Sequence, residues 1–229
     1  NVCYHLNRMG KTAAIISRIG NDENGKGLLD FLRAHEVDTS LVQTDEDHET
    51  GIVIATQKGN EMEYDIVQPV AWDFIDASAA LLDKVSSASY FVCGSLAARN
   101  GHSRKSLYAL LDVAKKKVVD INLRPPHYER PTLEYLMQQA DILKLNNHEL
   151  ALIAGWYSGE TDFEKQVTLL SEKFSIPVII ITKGDAGAAL FYENKFYNHP
   201  GYKVKVADTI GSGDSFLAAF LSKHINKEN

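Results

Sequence analysis

Apolar residues recur along this chain in two rhythms, and the change of rhythm divides it. Val2, Leu6 and Met9 stand at helical spacing and Gly10 stops the run, so residues 2–9 read as a short helix. Thr12–Ile16 reads as a buried strand, and Gly20-Asn21-Asp22-Glu23-Asn24-Gly25 reads as a loop by composition. Leu28, Leu29, Phe31 and Leu32 give the next helix its apolar face. Two alternating strands, Thr50–Gln57 and Glu61–Val67, flank Lys58-Gly59-Asn60, a hairpin signal. From Trp72 onward helices and strands alternate. Helix Phe74–Val85 precedes strand Tyr90–Cys93, Arg104–Lys115 precedes Val118–Ile121, Leu133–Gln139 precedes Ile142–Leu145, and Glu164–Phe174 precedes Val178–Thr182. Short apolar runs between helices of this length predict βαβ units, a mostly parallel sheet with helices on both faces. A hairpin follows, Ala188–Tyr192 and Lys195–Asn198 turning at Glu193-Asn194, and a last helix runs from about Gly213 to His224. The predicted class is therefore α/β and doubly wound: one domain over residues 1–229, with the early hairpin, within residues 45–70, projecting as a small β flap. Ligands in such sheets bind beyond the carboxyl ends of the strands.

Composition narrows this picture by exclusion. With 45% hydrophobic and 24% charged residues among 229, the chain is neither disordered nor a disulfide scaffold. Its 24 Lys and Arg against 30 Asp and Glu leave a net charge of −6, without a basic block, a poor match to nucleic acid. No uncharged run approaches the ~20 apolar residues of a membrane helix. Cys3 and Cys93 sit in no CxxC or Cys/His cluster, which fits a reduced, cytoplasmic setting. The eight histidines are scattered and read as surface or core residues rather than metal ligands. The chain opens on Asn1 without an initiator Met and closes on a polar tail, so it reads as lacking residues at both ends.

The strongest chemical signal is Asp208-Thr209-Ile210-Gly211-Ser212-Gly213-Asp214-Ser215-Phe216, which leads straight into the apolar helix Phe216–Leu221. Two glycines let successive N–H groups converge at a helix amino end, an anion site suited to phosphate. Asp214 in the first turn reads in two ways. It is a base that takes a proton from a hydroxyl attacking phosphorus, or it is a helix cap after a glycine turn. Gly20-x-x-x-x-Gly25-Lys26-Gly27 is a near match to a P-loop. Gly27 stands where Ser or Thr would meet Mg²⁺, and Asp22 and Glu23 would put negative charge inside the cradle, so that reading is rejected.

The nine-residue string 208–216 resembles the signature of the ribokinase, or PfkB-type, carbohydrate kinases, with Ser212 where the family usually has Ala. The likeness implies a ribokinase-like fold, an anion hole formed by Gly211, Ser212 and Gly213, and Asp214 as catalytic base. Asn1 resembles the end of the family's Gly-Gly-x-x-x-Asn motif, whose Asn binds sugar hydroxyls. The loop 20–25 resembles the Gly-x-Asp-x-x-Gly segment, which adds Gly20 and Asp22 to the sugar side, and the hairpin resembles part of the lid over the sugar. Asp120-Ile121-Asn122-Leu123-Arg124-Pro125-Pro126 resembles the Asp-x-Asn-x-Arg-Pro segment of the fructokinase-like branch. Asn122 would then face the sugar and Arg124 would hold phosphate or a sugar oxygen by its planar fork; a surface Arg near a turn is the alternative. Asn146-Asn147-His148-Glu149 resembles the Asn-x-x-Glu motif, in which Glu149 orders Mg²⁺ largely through water. The same residues also read as a helix-capping pair. Thr182, Gly184 and Gly187 resemble the Thr-x-Gly-x-x-Gly segment that approaches ATP.

Together these imply an ATP-dependent sugar kinase, most like a fructokinase acting on the 6-hydroxyl, with sugar and ATP as its partners and Mg²⁺ as cofactor. They also allow a monovalent cation such as K⁺ beside Asp208 and Ile210, and a homodimer through the lid. A 2-keto-3-deoxygluconate kinase, a ribokinase or nucleoside kinase, and a non-catalytic sugar- or nucleotide-binding module stay open as alternatives.

Overall fold

The computed structural model describes residues 1–58, 61–205 and 210–225, with the backbone alone at 57, 58 and 61–64. Three expectations, the hairpin turn at Gly59-Asn60, the cation-site residue Asp208 and the signature residue Thr209, lie outside the described residues. In chain order the elements are helix α1 (Val2–Arg8), strand β1 (Ser17–Gly20), α2 (Glu23–Ala34), β2 (Val42–Asp45), β3 (Val53–Lys58), β4 (Glu61–Ile66), α3 (Ala79–Ser87), β5 (Phe91–Gly94), α4 (Gly101–Val113), β6 (Lys117–Asp120), α5 (Arg130–Gln139), β7 (Ile142–Asn146), α6 (Asn147–Ala154), α7 (Phe163–Phe174), β8 (Val178–Thr182), β9 (Ala188–Tyr192), β10 (Lys195–His199) and α8 (Ser212–Ile225). They form two compact units, Asn1–Asp76 with Asp208–Asn229, and Ala77–Ala207.

The unit Ala77–Ala207 is built on one six-stranded sheet in the order β10-β9-β8-β7-β6-β5. Strands β5 to β8 are mutually parallel, and β9 and β10 are antiparallel additions at one edge. The parallel strands are rich in buried apolar residues because both faces are covered: Val118 and Val119, Ile142, Leu143 and Leu145, and Val178 to Ile181 are all buried. Register places Cys93, Val119, Leu143, Ile179 and Phe191 in one row across the sheet. That row joins Leu107 and Leu111 of α4, Leu133, Leu136 and Met137 of α5, Leu150 and Ile153 of α6, and Val167 and Leu170 of α7 in a single core. Truncating any of these buried leucines to alanine would cost about 2–5 kcal/mol. Local chemistry sets the helix starts: Ser78, Asn100, Asn146 and Asp162 each accept a backbone N–H with the side chain. The β9–β10 turn has Glu193 and Asn194 at φ 51 and 56, the paired left-handed residues of a tight hairpin. The unit has the mostly parallel α/β sheet with helices on its faces that the sequence predicted.

In the unit Asn1–Asp76 with 208–229, β1 pairs in parallel with β2, β3 pairs with β4 as the expected hairpin, and α1 packs against α8. Two elements differ from expectation. The predicted strand Thr12–Ile16 is reduced to a single bridge between Ala14 and Asp38, and the strand itself lies at Ser17–Gly20. A strand forms where it has a partner, and that partner is β2, whose Val-Gln-Thr-Asp sequence carries little apolar signal. The predicted helix Phe74–Val85 is also broken. A 3₁₀ turn covers Ala71–Phe74, Ile75 is extended, and α3 begins afresh behind the Ser78 cap. Among the described residues no helix is long and apolar enough to cross a membrane.

Candidate active site

Gly211 initiates α8. Its φ of +73 is a left-handed conformation suited to glycine, and a Cβ there would lie 3.2 Å from Asn1 Nδ2. Its carbonyl accepts the Ser215 N–H at 2.9 Å, the first bond of the helix. The N–H groups of Ser212, Gly213 and Asp214 therefore precede any intrahelical acceptor and stand at the positive end of a fourteen-residue helix. Asp214 accepts a hydrogen bond from Asn1 Nδ2 at Oδ2, 2.9 Å away. Among the described residues it caps no backbone N–H, unlike Asp22 and Asp162, which cap α2 and α7. The structure thus brings Asn1, Gly211, Ser212, Gly213 and Asp214 together.

Gly20 and Asp22 take part in a local clasp. Asp22 Oδ1 accepts from Gly25 N and from Thr50 Oγ1, both at 2.7 Å, and Oδ2 accepts from Thr50 N at 2.7 Å. Amide bonds from Thr50 and Gly25 hold its carboxyl below the usual range. A Cβ on Gly20 would come within 2.6 Å of Asp22 Oδ2 and of His48 O, so glycine is what lets the two loops close. The clasp sits at the root of the hairpin. Thr50 leads into Gly51, against which the Trp72 indole packs so closely that a Cβ would lie 2.3 Å from Nε1.

The carboxyl edge of the large sheet collects the other predicted residues. Asn146 and Thr182 are register neighbours at the ends of β7 and β8. Asn146 and Glu149 form a reciprocal capping box: Asn146 Oδ1 accepts Glu149 N at 2.9 Å and Glu149 Oε2 accepts Asn146 N at 2.8 Å. The other carboxylate oxygen, Oε1, accepts Leu123 N at 2.7 Å, so Glu149, 6% exposed, ties the loop after β6 to the start of α6. That loop holds Asn122 at φ 39 and an exposed Arg124, whose Nη1 donates to Leu123 O at 2.9 Å and which pairs with no carboxylate among the described residues. Asp120, the first residue of the same segment, is buried with Lys144 across the strands; Lys144 Nζ lies 2.8 and 2.7 Å from its two oxygens. Removing either partner would strand a buried charge. Gly184 and Gly187 take φ of +60 and +85 in the turn after β8, where Lys183 N donates to Gly187 O at 2.8 Å. A Cβ on Gly187 would lie 2.0 Å from His199 O.

Sequence reasoning missed Thr50, Lys144, His5 and Ser215. His5 carried a usable signal: it stands four residues after Asn1, on the same face of α1, and its Nε2 lies 2.9 Å from Ser215 Oγ. Thr50 and Lys144 carried none, because their partners are remote in sequence. Among the described residues no group of three His, Cys, Asp or Glu side chains could hold a metal ion.

A family description reading "pfkB family carbohydrate kinase" matches residues 1–229. The chain is 27% identical over 240 residues to fructokinase-2 of Solanum lycopersicum, covering 100% of this chain and 72% of that protein. It resembles the crystal structure of fructokinase from Vibrio cholerae O395, bound to fructose, ADP and calcium ion, with a TM-score of 0.81 and 25% identity over 97% of this chain and 73% of that one. A sugar kinase from Pyrococcus horikoshii in complex with ATP aligns with a TM-score of 0.81 and 26% identity, over 96% of this chain and 72% of that one.

Proposed function

From the premise that the chain belongs to the pfkB family of carbohydrate kinases, we propose that it transfers the γ-phosphoryl group of ATP to a sugar's primary hydroxyl, the 6-hydroxyl of fructose. The observation that carries this reading is the availability of one carboxylate. Asp22 and Glu149 have both oxygens engaged by N–H or hydroxyl donors, and Asp120 has both on Lys144. Asp214 has one oxygen on Asn1, and among the described residues its other oxygen is free to take a proton.

In the proposed reaction Asp214 accepts the proton of the acceptor hydroxyl as that oxygen bonds to the γ-phosphorus, and the bond to the β-phosphate oxygen breaks to release ADP. The amides of Ser212, Gly213 and Asp214 stabilise the charge of the phosphoryl group by orientation already set in the fold. Asn1 orients Asp214 and offers its remaining polar groups to sugar hydroxyls. Asn122 serves the sugar, and Arg124 offers its guanidinium to phosphate or a sugar oxygen. The turn from Thr182 through Gly184 to Gly187, with Asn146, takes the nucleotide. Gly20 and Asp22 act at one remove, by fixing the root of the hairpin lid. The donor set does not fit an all-protein cage for Mg²⁺, since Glu149 is buried with both oxygens engaged. Glu149 would hold such a cation only through a water, and the cation would be supplied chiefly by the nucleotide phosphates. There Mg²⁺ would neutralise phosphate charge.

The test is an ADP-release assay with fructose, ribose and 2-keto-3-deoxygluconate in turn. Fructose is expected to give the highest kcat/KM. Preference for either other sugar would overturn the substrate, and ATP binding without turnover on any of them would favour a binding module.

A further inference from the structure

We propose that His5 and Ser215 form a positioning clamp that holds the Gly211–Ser212 peptide in the orientation the anion-binding turn requires. This rests on the kinase reading of that turn. Gly211 O accepts twice from one residue, from Ser215 N at 2.9 Å and from Ser215 Oγ at 2.9 Å. A hydroxyl has a single proton. Given to Gly211, it leaves Oγ as an acceptor toward His5 Nε2 at 2.9 Å, so the imidazole donates. Its neutral Nε2–H tautomer and its imidazolium both donate, so the clamp requires no change of charge.

The consequence lies on the far side of the peptide. In a trans peptide the C=O and N–H point in opposite directions. With the Gly211 carbonyl drawn into the first turn of α8, the Ser212 N–H is turned out of the helix's amino end, where a phosphoryl oxygen would be met. Gly211, at φ +73, imposes little conformational preference of its own, and Gly213 follows two residues later. The hydroxyl and imidazole restrict a peptide that the glycines leave loose. A hydroxyl bonded to the carbonyl four residues back is common inside helices. Here the carbonyl belongs to the turn before the helix, and a third group, from α1, reaches the hydroxyl. Asn1, which holds Asp214, and His5, which holds Ser215, stand four residues apart on that helix, so one element orients both the base and the turn.

The test is made in the full-length protein. Removing an oxyanion donor outright lowers kcat by about 10²–10³, and a misaimed donor should cost less, about tenfold in Ser215→Ala. The KM for sugar should stay within about twofold, since only transition-state contacts are weakened. Ser215→Thr, which keeps the hydroxyl, and His5→Gln, which keeps a nitrogen donor, should recover most of kcat. His5→Phe combined with Ser215→Ala should be no slower than the slower single variant. Wild-type kcat in Ser215→Ala, or losses that multiply in the double variant, would overturn the clamp. A kcat loss that tracks a fall in Tm and is not recovered by threonine would also do so. If the wild-type protein phosphorylates no sugar, the kinase reading fails separately. The clamp is then judged by hydrogen exchange over residues 212–215, which must be faster in both Ser215→Ala and His5→Phe; unchanged exchange refutes it.

Discussion

Replacing Glu149 by Gln separates two roles that a single carboxylate could hold. In the fold it accepts Leu123 N at 2.7 Å and Asn146 N at 2.8 Å from a site 6% exposed to solvent. Hydrogen bonds to a charged group contribute about 1.5–3 kcal/mol each. Glutamine keeps one carbonyl acceptor, now uncharged, and presents an NH₂ to the other backbone N–H, so one bond is lost and two donors face each other. The expected loss is about 2–4 kcal/mol, one charge-assisted bond with part of the strength of the second. Because the lost bond anchors Leu123, between Asn122 at φ 39 and Arg124, that loop should loosen with it. Urea unfolding would show the midpoint falling with m unchanged. Steady-state kinetics should show KM for fructose rising, while the Mg²⁺ concentration for half-maximal rate moves less than about threefold, as for a cation held mainly by phosphates and water. If stability stayed within about 0.5 kcal/mol of wild type, as for an ordinary surface substitution, while the Mg²⁺ requirement rose steeply, Glu149 would be a metal group rather than a tie between the β6 loop and α6.

Three further outcomes follow from the same geometry. Asp214→Asn keeps the contact with Asn1 within reach but removes the proton acceptor, so kcat should fall by about 10²–10⁴ with little change in sugar KM; near-normal turnover would exclude it as the base. Asp22 has its pKa lowered by the amide bonds of Thr50 and Gly25, so its contribution to stability is present above the unfolded carboxylate value of about 4 and is lost as pH falls through the folded value. Thermal melts of Asp22→Asn should therefore lie below wild type at pH 7 and converge with it below about pH 4, and a constant gap would count against the clasp. Burial pushes the Cys93 thiol up to about 12, so a thiol reagent at pH 8 should leave it unmodified until the protein is unfolded, as peptide mapping would show.

The parallel sheet was legible because its strands are covered on both faces and so carry dense apolar runs between helices. Val178–Thr182 and Ala188–Tyr192 coincide with β8 and β9, and the turn at Glu193-Asn194 is where it was expected. What the pattern could not show was pairing between weakly apolar segments. β2 is Val-Gln-Thr-Asp, and nothing in it marks a strand until β1 lies beside it. The break after Phe74 was hidden for the opposite reason. Apolar spacing runs on through Ile75 to Val85, and a serine hydroxyl at 78 decides where the helix starts.

At the site, the motifs revealed residue types and their places at strand ends, but not how their polar groups are used. Asn-x-x-Glu and Asp-x-Asn-x-Arg look like two independent strings. The fold joins them, because β6 and β7 are parallel neighbours and their carboxyl ends lie side by side. A glutamate in the first turn after one strand then reaches the Leu123 amide in the loop beyond the other. The same logic makes Asp22 a clasp, since a β-strand end, a helix start and the hairpin root meet around it. At Asp22 this pairing ties two loops and lowers the carboxyl pKa, because protonation would break its bonds to the Thr50 and Gly25 amides. Among the carboxylates of the site motifs in the described residues, the one proposed for proton transfer is held by a single contact. In this chain that is Asp214, which Asn1 orients through Oδ2.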